Sequence, residues 1–286
     1  MTGLAMSRDK MQVATTSWDE SVRIWDIRSG RNQWILRGHE APPLTAAFNA
    51  SGDRLVTASE DRTARIWSTV DGRTVAVLRG HLSTVQSAVF DATGRRVLTT
   101  SLDGTARIWD AGSGQETAVL RMASNPLFSA AFSTTSRRVV TVSSRGDLAI
   151  WSADDGRPIA SYPRAGYAVQ SYVLGDEDAL LMVLTTEGSI LVRAADTGAH
   201  AGLYGASPGD KIVAATFAAD GKSILAITAR QQMLMWPIIR SAQDLVAQVR
   251  AMAPRCLSLA ERAELQLDPV IPRWCTDQAK ALAGPL

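Results

Sequence analysis

Val22-Arg-Ile-Trp-Asp26 is a short apolar segment that the chain repeats as Ala64-Arg-Ile-Trp-Ser68, Ala106-Arg-Ile-Trp-Asp110 and Leu148-Ala-Ile-Trp-Ser152. The four tryptophans stand 42 residues apart, and the same interval separates five glycines: Gly30, Gly72, Gly114, Gly156 and Gly198. Two residue types that share one period define a tandem array. Each copy is short and rich in β-prone residues, so the repeat predicts strands rather than helix pairs.

One full period, residues 80 to 121, contains four such runs: Val85 to Phe90, Arg96 to Ser101, Thr105 to Asp110 and Glu116 to Leu120. Thr93-Gly94, Asp103-Gly104 and Ser113-Gly114 separate them, and such pairs favour tight turns because glycine tolerates positive φ. Four short antiparallel strands in a repeat of about 40 to 45 residues are typical of a β-propeller blade.

The residues around these strands resemble the WD-repeat family. Gly38-His39 precedes a strand, Asp61 lies in a turn and Trp67 ends the third strand; Gly80-His81, Asp103 and Trp109 repeat the pattern. The motifs are strong over residues 1 to 152 and weaker to about 240. The resemblance implies an all-β propeller of about six four-stranded blades, at about 1–37, 38–79, 80–121, 122–163, 164–205 and 206–240.

The last two repeats depart from the pattern. Arg193 stands where the fifth tryptophan is expected, and the sixth repeat recovers Trp236 but lacks the following glycine. The sixth blade is therefore predicted to have three strands, at Lys211 to Phe217, Ser223 to Thr228 and Gln232 to Pro237. Two arrangements stay open: a six-blade ring closed by this blade, or an open arc of a larger ring in a longer protein.

In the family, a tryptophan N–H bonds a buried strand hydroxyl, which bonds the histidine, which bonds the turn aspartate. The matching residues here are Trp67, Ser59, His39 and Asp61, and then Trp109, Ser101, His81 and Asp103. The trio Ser59, His39 and Asp61 also contains the residue types of a hydrolase triad. Because the trio recurs at a fixed interval, the structural role is favoured. The fourth blade keeps Ser143 and Trp151 but has Ala123 and Arg145, so the later blades are expected to be looser.

Other chemical signatures are weak. Gly221-Lys222-Ser223 resembles the end of a phosphate-binding loop, but Thr216 stands where that loop needs its first glycine. The sequence has no Cys-x-x-Cys and no His-Glu-x-x-His. We therefore expect no cofactor, no metal and no catalytic residues.

Composition favours a cytoplasmic interaction module. The 286-residue chain has a formal net charge of +2 with acids and bases interspersed, which does not favour binding to nucleic acid or a membrane. The segment from Met1 to Lys10 is too polar for a signal peptide, and the longest apolar run, Ala179 to Leu184, is too short to span a bilayer. Four lysines against 26 arginines suggest a GC-rich, bacterial genome.

Residues 241–286 are predicted to be a helical extension. Ser241-Ala-Gln-Asp244 and Ser258-Leu-Ala-Glu261 fit helix starts, and Pro254 ends the first helix. The extension either covers a propeller edge or forms a docking helix, and whether Cys256 and Cys275 pair is open. The tail from Ala253 to Cys275 is similar to the C-terminal extension of bacterial multidomain WD-repeat proteins, whose propellers follow a STAND-type NTPase, a caspase-like protease or a TIR domain.

The resemblance also points to a binding surface, because partners of WD-repeat proteins commonly bind the rim that carries the histidine and aspartate loops. The candidate rim residues either precede a turn aspartate or follow a histidine position by three or five residues: Trp18, Glu60, Leu102, Pro42, Leu44, Pro126 and Phe128. Trp18, Leu44, Leu102 and Phe128 would form an apolar patch that binds a partner or is covered by the tail or a neighbouring domain.

The sequence favours a non-catalytic protein-binding scaffold or sensor, in which the propeller follows an upstream domain of a bacterial signalling protein. Two alternatives stay open. One is an enzyme that uses the central channel, although the innermost runs, such as Leu44 to Phe48, are small and apolar. The other is a non-functional fragment, in view of the divergent later repeats.

Overall fold

The computed structural model describes residues 1–122, 127–162, 168–175, 177–197 and 199–238, and these residues form an all-β structure. They belong to one compact unit, Met1–Ile238. The helical extension predicted for 241–286, with its two cysteines, lies outside the described residues, so it stays a prediction.

In the described part of the chain, twenty-three strands form six antiparallel sheets, which we call blades one to six in chain order. Blade one contains β1 (Gly3–Met6), β2 (Gln12–Thr16), β3 (Val22–Asp26) and β4 (Asn32–Leu36). Blade two contains β5 (Pro43–Phe48), β6 (Arg54–Ser59), β7 (Thr63–Ser68) and β8 (Thr74–Arg79). Blade three contains β9 (Val85–Phe90), β10 (Arg96–Ser101), β11 (Thr105–Asp110) and β12 (Glu116–Arg121).

The remaining blades follow the same order. Blade four contains β13 (Leu127–Phe132), β14 (Arg138–Ser143), β15 (Leu148–Ser152) and β16 (Pro158–Tyr162). Blade five contains β17 (Val169–Gly175), β18 (Leu180–Thr185), β19 (Ser189–Ala194) and β20 (His200–Gly205). Blade six has three strands, β21 (Ile212–Phe217), β22 (Ser223–Thr228) and β23 (Met233–Pro237). The predicted strand pattern is confirmed, including the three-stranded sixth sheet.

Glycine fixes the turn between the third and fourth strands. Gly30, Gly72, Gly114 and Gly156 have φ of 66°, 72°, 72° and 70°. This left-handed region costs a residue with a Cβ free energy, whereas glycine enters it readily. The recurring glycine is therefore explained by the backbone of one turn type.

Each inner blade packs both of its faces. We call the face toward the preceding blade the leading face and the face toward the next blade the trailing face. In blade two, Leu55 and Trp67 on the leading face pack with Ile24 of blade one, whereas Val56 and Ile66 on the trailing face pack with Val97 of blade three. Successive strand residues point to opposite faces, so one strand serves two interfaces.

The core is therefore a series of five apolar clusters between consecutive blades, from the pair one and two to the pair five and six. Within the described ranges, no apolar cluster joins blade six to blade one. The leading face of blade one and the trailing face of blade six thus lack the contact that every other blade face has.

Candidate functional site

The histidine and aspartate loops of blades two and three meet at one end of each sheet. In blade two, the backbone N–H of Glu40 donates to Asp61 Oδ2 at 3.1 Å, and that of Glu60 donates to the carbonyl of Pro42 at 3.2 Å. Blade three repeats both contacts: Leu82 N to Asp103 Oδ2 at 2.9 Å and Leu102 N to Thr84 O at 3.0 Å. We call this end of the blades the rim.

A buried chain of hydrogen bonds, which we call the relay, supports each of these two loop pairs. In blade two, Trp67 Nε1 donates to Thr57 Oγ1 at 2.9 Å, Thr57 Oγ1 lies 2.8 Å from His39 Nε2, and His39 Nδ1 lies 2.7 Å from Asp61 Oδ2. The Asp61 carboxylate accepts from His39 Nδ1, and the Thr57 hydroxyl connects the indole to the imidazole.

Blade three contains the same relay with different residue numbers. The Trp109 to Thr99 bond is 2.8 Å, the Thr99 to His81 contact is 2.7 Å and the His81 to Asp103 contact is 2.9 Å. Both relays satisfy the polar groups of a buried indole and a buried imidazole.

The relay hydroxyl is not the one predicted from the sequence. Ser59 Oγ instead donates to the carbonyl of Ala41 at 2.8 Å and accepts the N–H of Asp61 at 3.1 Å. Ser101 likewise bonds the carbonyl of Ser83 at 3.0 Å and the N–H of Asp103 at 3.1 Å. The assignment of Ser59 and Ser101 to the relay was therefore wrong; these serines stabilise the rim loops.

Strand register explains the correction. Leu55 is the direct cross-strand partner of Trp67. Thr57, two residues further along the same strand, is therefore the diagonal neighbour of Trp67 on the same face, and Ser59 lies another two residues away. A diagonal neighbour is within reach of a long aromatic side chain. The signal was present in the sequence, because a threonine stands ten residues before each repeated tryptophan: Thr15, Thr57, Thr99 and Thr141.

The geometry also bears on the hydrolase alternative. His39 Nε2, which would act as the base of a triad, faces Thr57, while the Ser59 hydroxyl donates to the backbone. Both Ser59 and His39 are buried. The trio satisfies buried polar groups and does not present a nucleophile next to a base. Within the described residues, no group of three or more His, Cys, Asp or Glu side chains is placed to hold a metal ion.

The relay shifts the pKa values of its members. Burial alone would raise the pKa of Asp61, but hydrogen bonds from His39 and Thr63 outweigh burial and hold this pKa well below its usual range. Burial also opposes ionisation of Asp103, and bonds from Thr105, the Leu82 N–H and His81 likewise lower its pKa. The pKa of His81 is lowered, mainly by burial, which the Asp103 carboxylate offsets only in part. A neutral His81 with its proton on Nδ1 still donates to Asp103 Oδ2.

The other blades keep parts of the relay. Trp25 Nε1 donates to Thr15 at 3.0 Å in blade one, and Trp151 Nε1 donates to Thr141 at 2.7 Å in blade four. Ser143 of blade four bonds Asp147 Oδ2 at 2.9 Å, so it too lies outside the relay. Ala123, at the histidine position, is outside the described residues. In blade five, Val183 and Arg193 replace the threonine and the tryptophan, and Val183 is buried.

The rim residues predicted from the sequence differ in exposure. Trp18 is 65% exposed and Leu102 56% exposed, and Glu60 is also exposed. Pro42 and Leu44 are only partly exposed, so Leu44 is a weak member of an apolar patch. Pro126 and the side chain of Phe128 lie outside the described part of the chain.

One apolar rim residue was missed by the sequence interpretation. Leu82 directly follows His81 and is 77% exposed. Its backbone N–H is fixed by Asp103 Oδ2, so the loop is anchored while the side chain points to solvent. The sequence feature that could have identified Leu82 is an apolar residue directly after the histidine, where blade two has Glu40.

The turn that carries Trp18 is held by its own polar groups. Asp19 Oδ1 accepts the Ser21 hydroxyl at 2.6 Å and its N–H at 3.1 Å, and Asp19 Oδ2 accepts from Arg23 at 3.2 Å. Hydrogen bonds from Ser21 and Ser17 lower the pKa of Asp19 to about 2. Trp18 contributes to none of these bonds, so its side chain is free for an external contact.

Comparisons with known proteins agree with this description. The family model described as WD domain, G-beta repeat matches residues 1–26, 30–68 and 72–110. The crystal structure of the computationally designed Ika8 protein is similar in fold, with a TM-score of 0.67 and 21% sequence identity over 83% of this chain and 70% of that chain. No curated protein matches this chain in sequence. No helix in the described ranges is long and apolar enough to span a membrane. The three repeat matches support a WD-repeat family for this chain.

Proposed function

We propose that the chain is a non-catalytic interaction module that binds a protein partner at the rim through Trp18, Leu82 and Leu102. WD40 repeats generally mediate protein–protein interactions, and three of them match here. The observation that carries the assignment to the rim is the exposure of three large apolar side chains on loops whose backbone groups are already hydrogen-bonded.

The rim is suited to binding because it combines apolar side chains with fixed backbone. Exposed aromatic and aliphatic anchors supply most of the binding energy in protein interfaces. A loop that is ordered before binding loses less conformational entropy when the partner arrives. Asp19 and Asp103 order the Trp18, Leu82 and Leu102 loops in this way. Glu60 and Glu40 lie on the intervening blade and would give the surface an acidic margin.

We also propose a bacterial, cytoplasmic signalling context, in which an upstream domain is a second candidate partner of the rim. The similarity of the tail to extensions of bacterial multidomain WD-repeat proteins supports this context. The excess of arginine over lysine and the near-balanced charge agree with it. No nucleic-acid or membrane partner is proposed, because the charges are mixed.

The test is a photo-crosslinking residue placed at Glu60, an exposed rim position between the apolar anchors, which identifies the partner. The affinity of the separately purified partner is then measured. Trp18→Ser, Leu82→Ser and Leu102→Ser should each weaken that affinity by about tenfold or more. Val70→Ser is the matched control, because Val70 is 75% exposed but lies in the turn between the third and fourth strands, at the opposite end of blade two.

The expected result is loss of binding in the rim variants and unchanged binding in Val70→Ser. Equal affinity in all four variants would place the binding face elsewhere. Specific turnover that survives all the rim changes would contradict the non-catalytic assignment.

A further inference from the structure

Blade six presents an apolar trailing face to solvent. Leu225 pairs with Met235 across the sheet, and Ile227 pairs with Met233, so the four side chains form one contiguous surface. Met233 is 75% exposed, Met235 67% and Ile227 46%. An apolar surface of this kind marks an interaction site.

The same positions are buried in the inner blades. In blade two, Val56 pairs with Ile66, and Ala58 pairs with Ala64. All four are at most 1% exposed, because blade three covers them. Blade six therefore keeps the apolar character of an interblade face, with larger side chains, although no described part of the chain packs on it in an apolar cluster.

Blade one presents the opposite, leading face. Met6 pairs with Val13, which in turn pairs with Trp25, and this row repeats the row Phe48, Leu55 and Trp67 of blade two. Leu4 is 59% exposed and Met6 53%. Trp25 is partly exposed, whereas the equivalent Trp67 is 2% exposed.

We propose that the trailing face of blade six binds the leading face of blade one in a second copy of the chain. A trailing face and a leading face of this type already meet five times inside each molecule, and each meeting forms an apolar cluster. The two free faces are therefore the two halves of an interface that the repeat already makes. The proposal is independent of the partner at the rim.

Such a contact is heterologous, since two different surfaces meet. Each added copy again leaves one leading and one trailing face free, so the assembly grows with concentration until it closes. This property separates the proposal from a symmetric dimer, in which one face would bind its own kind.

The test uses two full-length variants that each disable one face. Met233→Glu with Met235→Lys disables the trailing face, and Leu4→Lys with Met6→Glu disables the leading face. Both pairs leave the net charge unchanged and alter side chains that are already exposed, so folding should be retained; far-ultraviolet circular dichroism and thermal melts check this. Val70→Lys with Leu203→Glu is the matched control, on exposed apolar positions of blades two and five.

Sedimentation velocity over a wide concentration range measures the oligomeric state of each variant. The wild type and the control should associate, whereas each face variant alone should be monomeric, with an association constant reduced by about a hundredfold or more. An equal mixture of the two face variants should form a dimer and nothing larger, because only one intact trailing face and one intact leading face remain to meet.

Three results would overturn the proposal. They are a monomeric wild type at every concentration, association of either face variant on its own, and a mixture that stays monomeric. The first would mean that the faces are closed within one molecule, including by residues 239–286, and the second would indicate a same-face dimer. Met235→Gln alone is a milder, uncharged change in the trailing face and should weaken association by an intermediate factor. It keeps the test valid if the charged variants misfold.

Discussion

Thr57 Oγ1 lies 2.8 Å from Nε2 of His39, and this contact connects a buried imidazole to strand β6. The same hydroxyl accepts the indole N–H of Trp67 at 2.9 Å. A single threonine therefore connects the strand that holds the interblade core with the loop that forms the rim. Stability of the core and geometry of the rim are coupled through this side chain.

We expect Thr57→Val to be strongly destabilising despite the similar shape of the two side chains. The change leaves the Trp67 N–H and His39 Nε2 buried without partners, at a cost of about 1–3 kcal/mol for each group. Urea unfolding of Thr57→Val and of the exposed control Thr74→Val measures the difference. Similar stabilities of the two variants would mean that the relay contributes little.

Trp67 and Trp25 test how much a preceding blade adds to the stability that a relay tryptophan provides. Both donate to a threonine at the same repeat position, at 2.9 and 3.0 Å, but only Trp67 is covered by a preceding blade. Trp67→Ala should cost about 3–5 kcal/mol, and Trp25→Ala clearly less, because cost follows the buried volume that is lost. Denaturant unfolding of both variants checks the order, and equal losses would show that the leading face of blade one is covered in solution.

Stability should fall on acidification in two steps. A group whose pKa is lower in the folded protein binds fewer protons there than in the unfolded chain, so stability rises with pH between the two values. The contribution of His81 is complete above its ordinary pKa of 6.5 and is lost as the pH falls through its lowered folded pKa. The contributions of Asp61 and Asp103 are complete above 3.8 and are lost in stronger acid.

Urea unfolding from about pH 8 to about pH 2 measures this dependence. In His81→Gln, the loss that begins below the ordinary histidine pKa should be smaller, while the loss from the Asp61 carboxylate stays. A variant that follows the wild-type curve throughout that range would contradict the role assigned to His81.

Gly72 and Gly30 occupy the same turn of the repeat but have different surroundings. A Cβ on Gly72 would lie 2.8 Å from the ring of Trp34, whereas a Cβ on Gly30 would meet nothing within 4 Å. Trp34 Nε1 is bonded to the carbonyl of Thr69 at 2.9 Å, so the ring has little freedom to move. Gly30→Ala should lower the free energy of unfolding by about 1 kcal/mol, because alanine is strained at a positive φ. Gly72→Ala should lower it by about 1 kcal/mol more, because its Cβ also meets the ring of Trp34. Thermal unfolding of the two variants compares them directly.

The rim variants should separate binding from folding. Trp18→Ser and Leu102→Ser alter exposed side chains on turns that other residues stabilise, so the free energy of unfolding should change by less than about 1 kcal/mol. Denaturant unfolding checks this expectation. A larger loss would indicate that the side chains support the fold, and would remove the basis for using them as binding probes.

The strands were predictable because the tryptophan and glycine spacing specifies one backbone unit, and even the three-stranded sixth blade follows from the glycine that is missing after Trp236. The pairing between Thr57 and Trp67 was not predicted, because Ser59 recurs with the same period and the choice depends on cross-strand register. Spacing alone does not distinguish a diagonal neighbour from one a step further along the strand.

Exposure was harder to predict than hydrogen bonding. Leu44 has the same apolar character as Leu82, yet it is the second residue of β5 and its carbonyl faces Gly3 of blade one, whereas Leu82 lies on a loop. The packing of neighbouring blades decides which of them reaches solvent, and that packing depends on contacts between distant parts of the sequence. The two unpaired faces of blades one and six also emerge only from three-dimensional packing.

Blade five has lost both partners of the bond that holds the relay tryptophan in blades one to four. Val183 replaces the relay threonine and Arg193 replaces the tryptophan, so the indole donor and the hydroxyl that would accept from it are absent together. Removing one partner of a buried hydrogen bond destabilises a protein, whereas replacing both partners can be nearly neutral. The two replacements therefore leave blade five with neither an indole N–H nor a threonine hydroxyl at the relay positions that would need a partner.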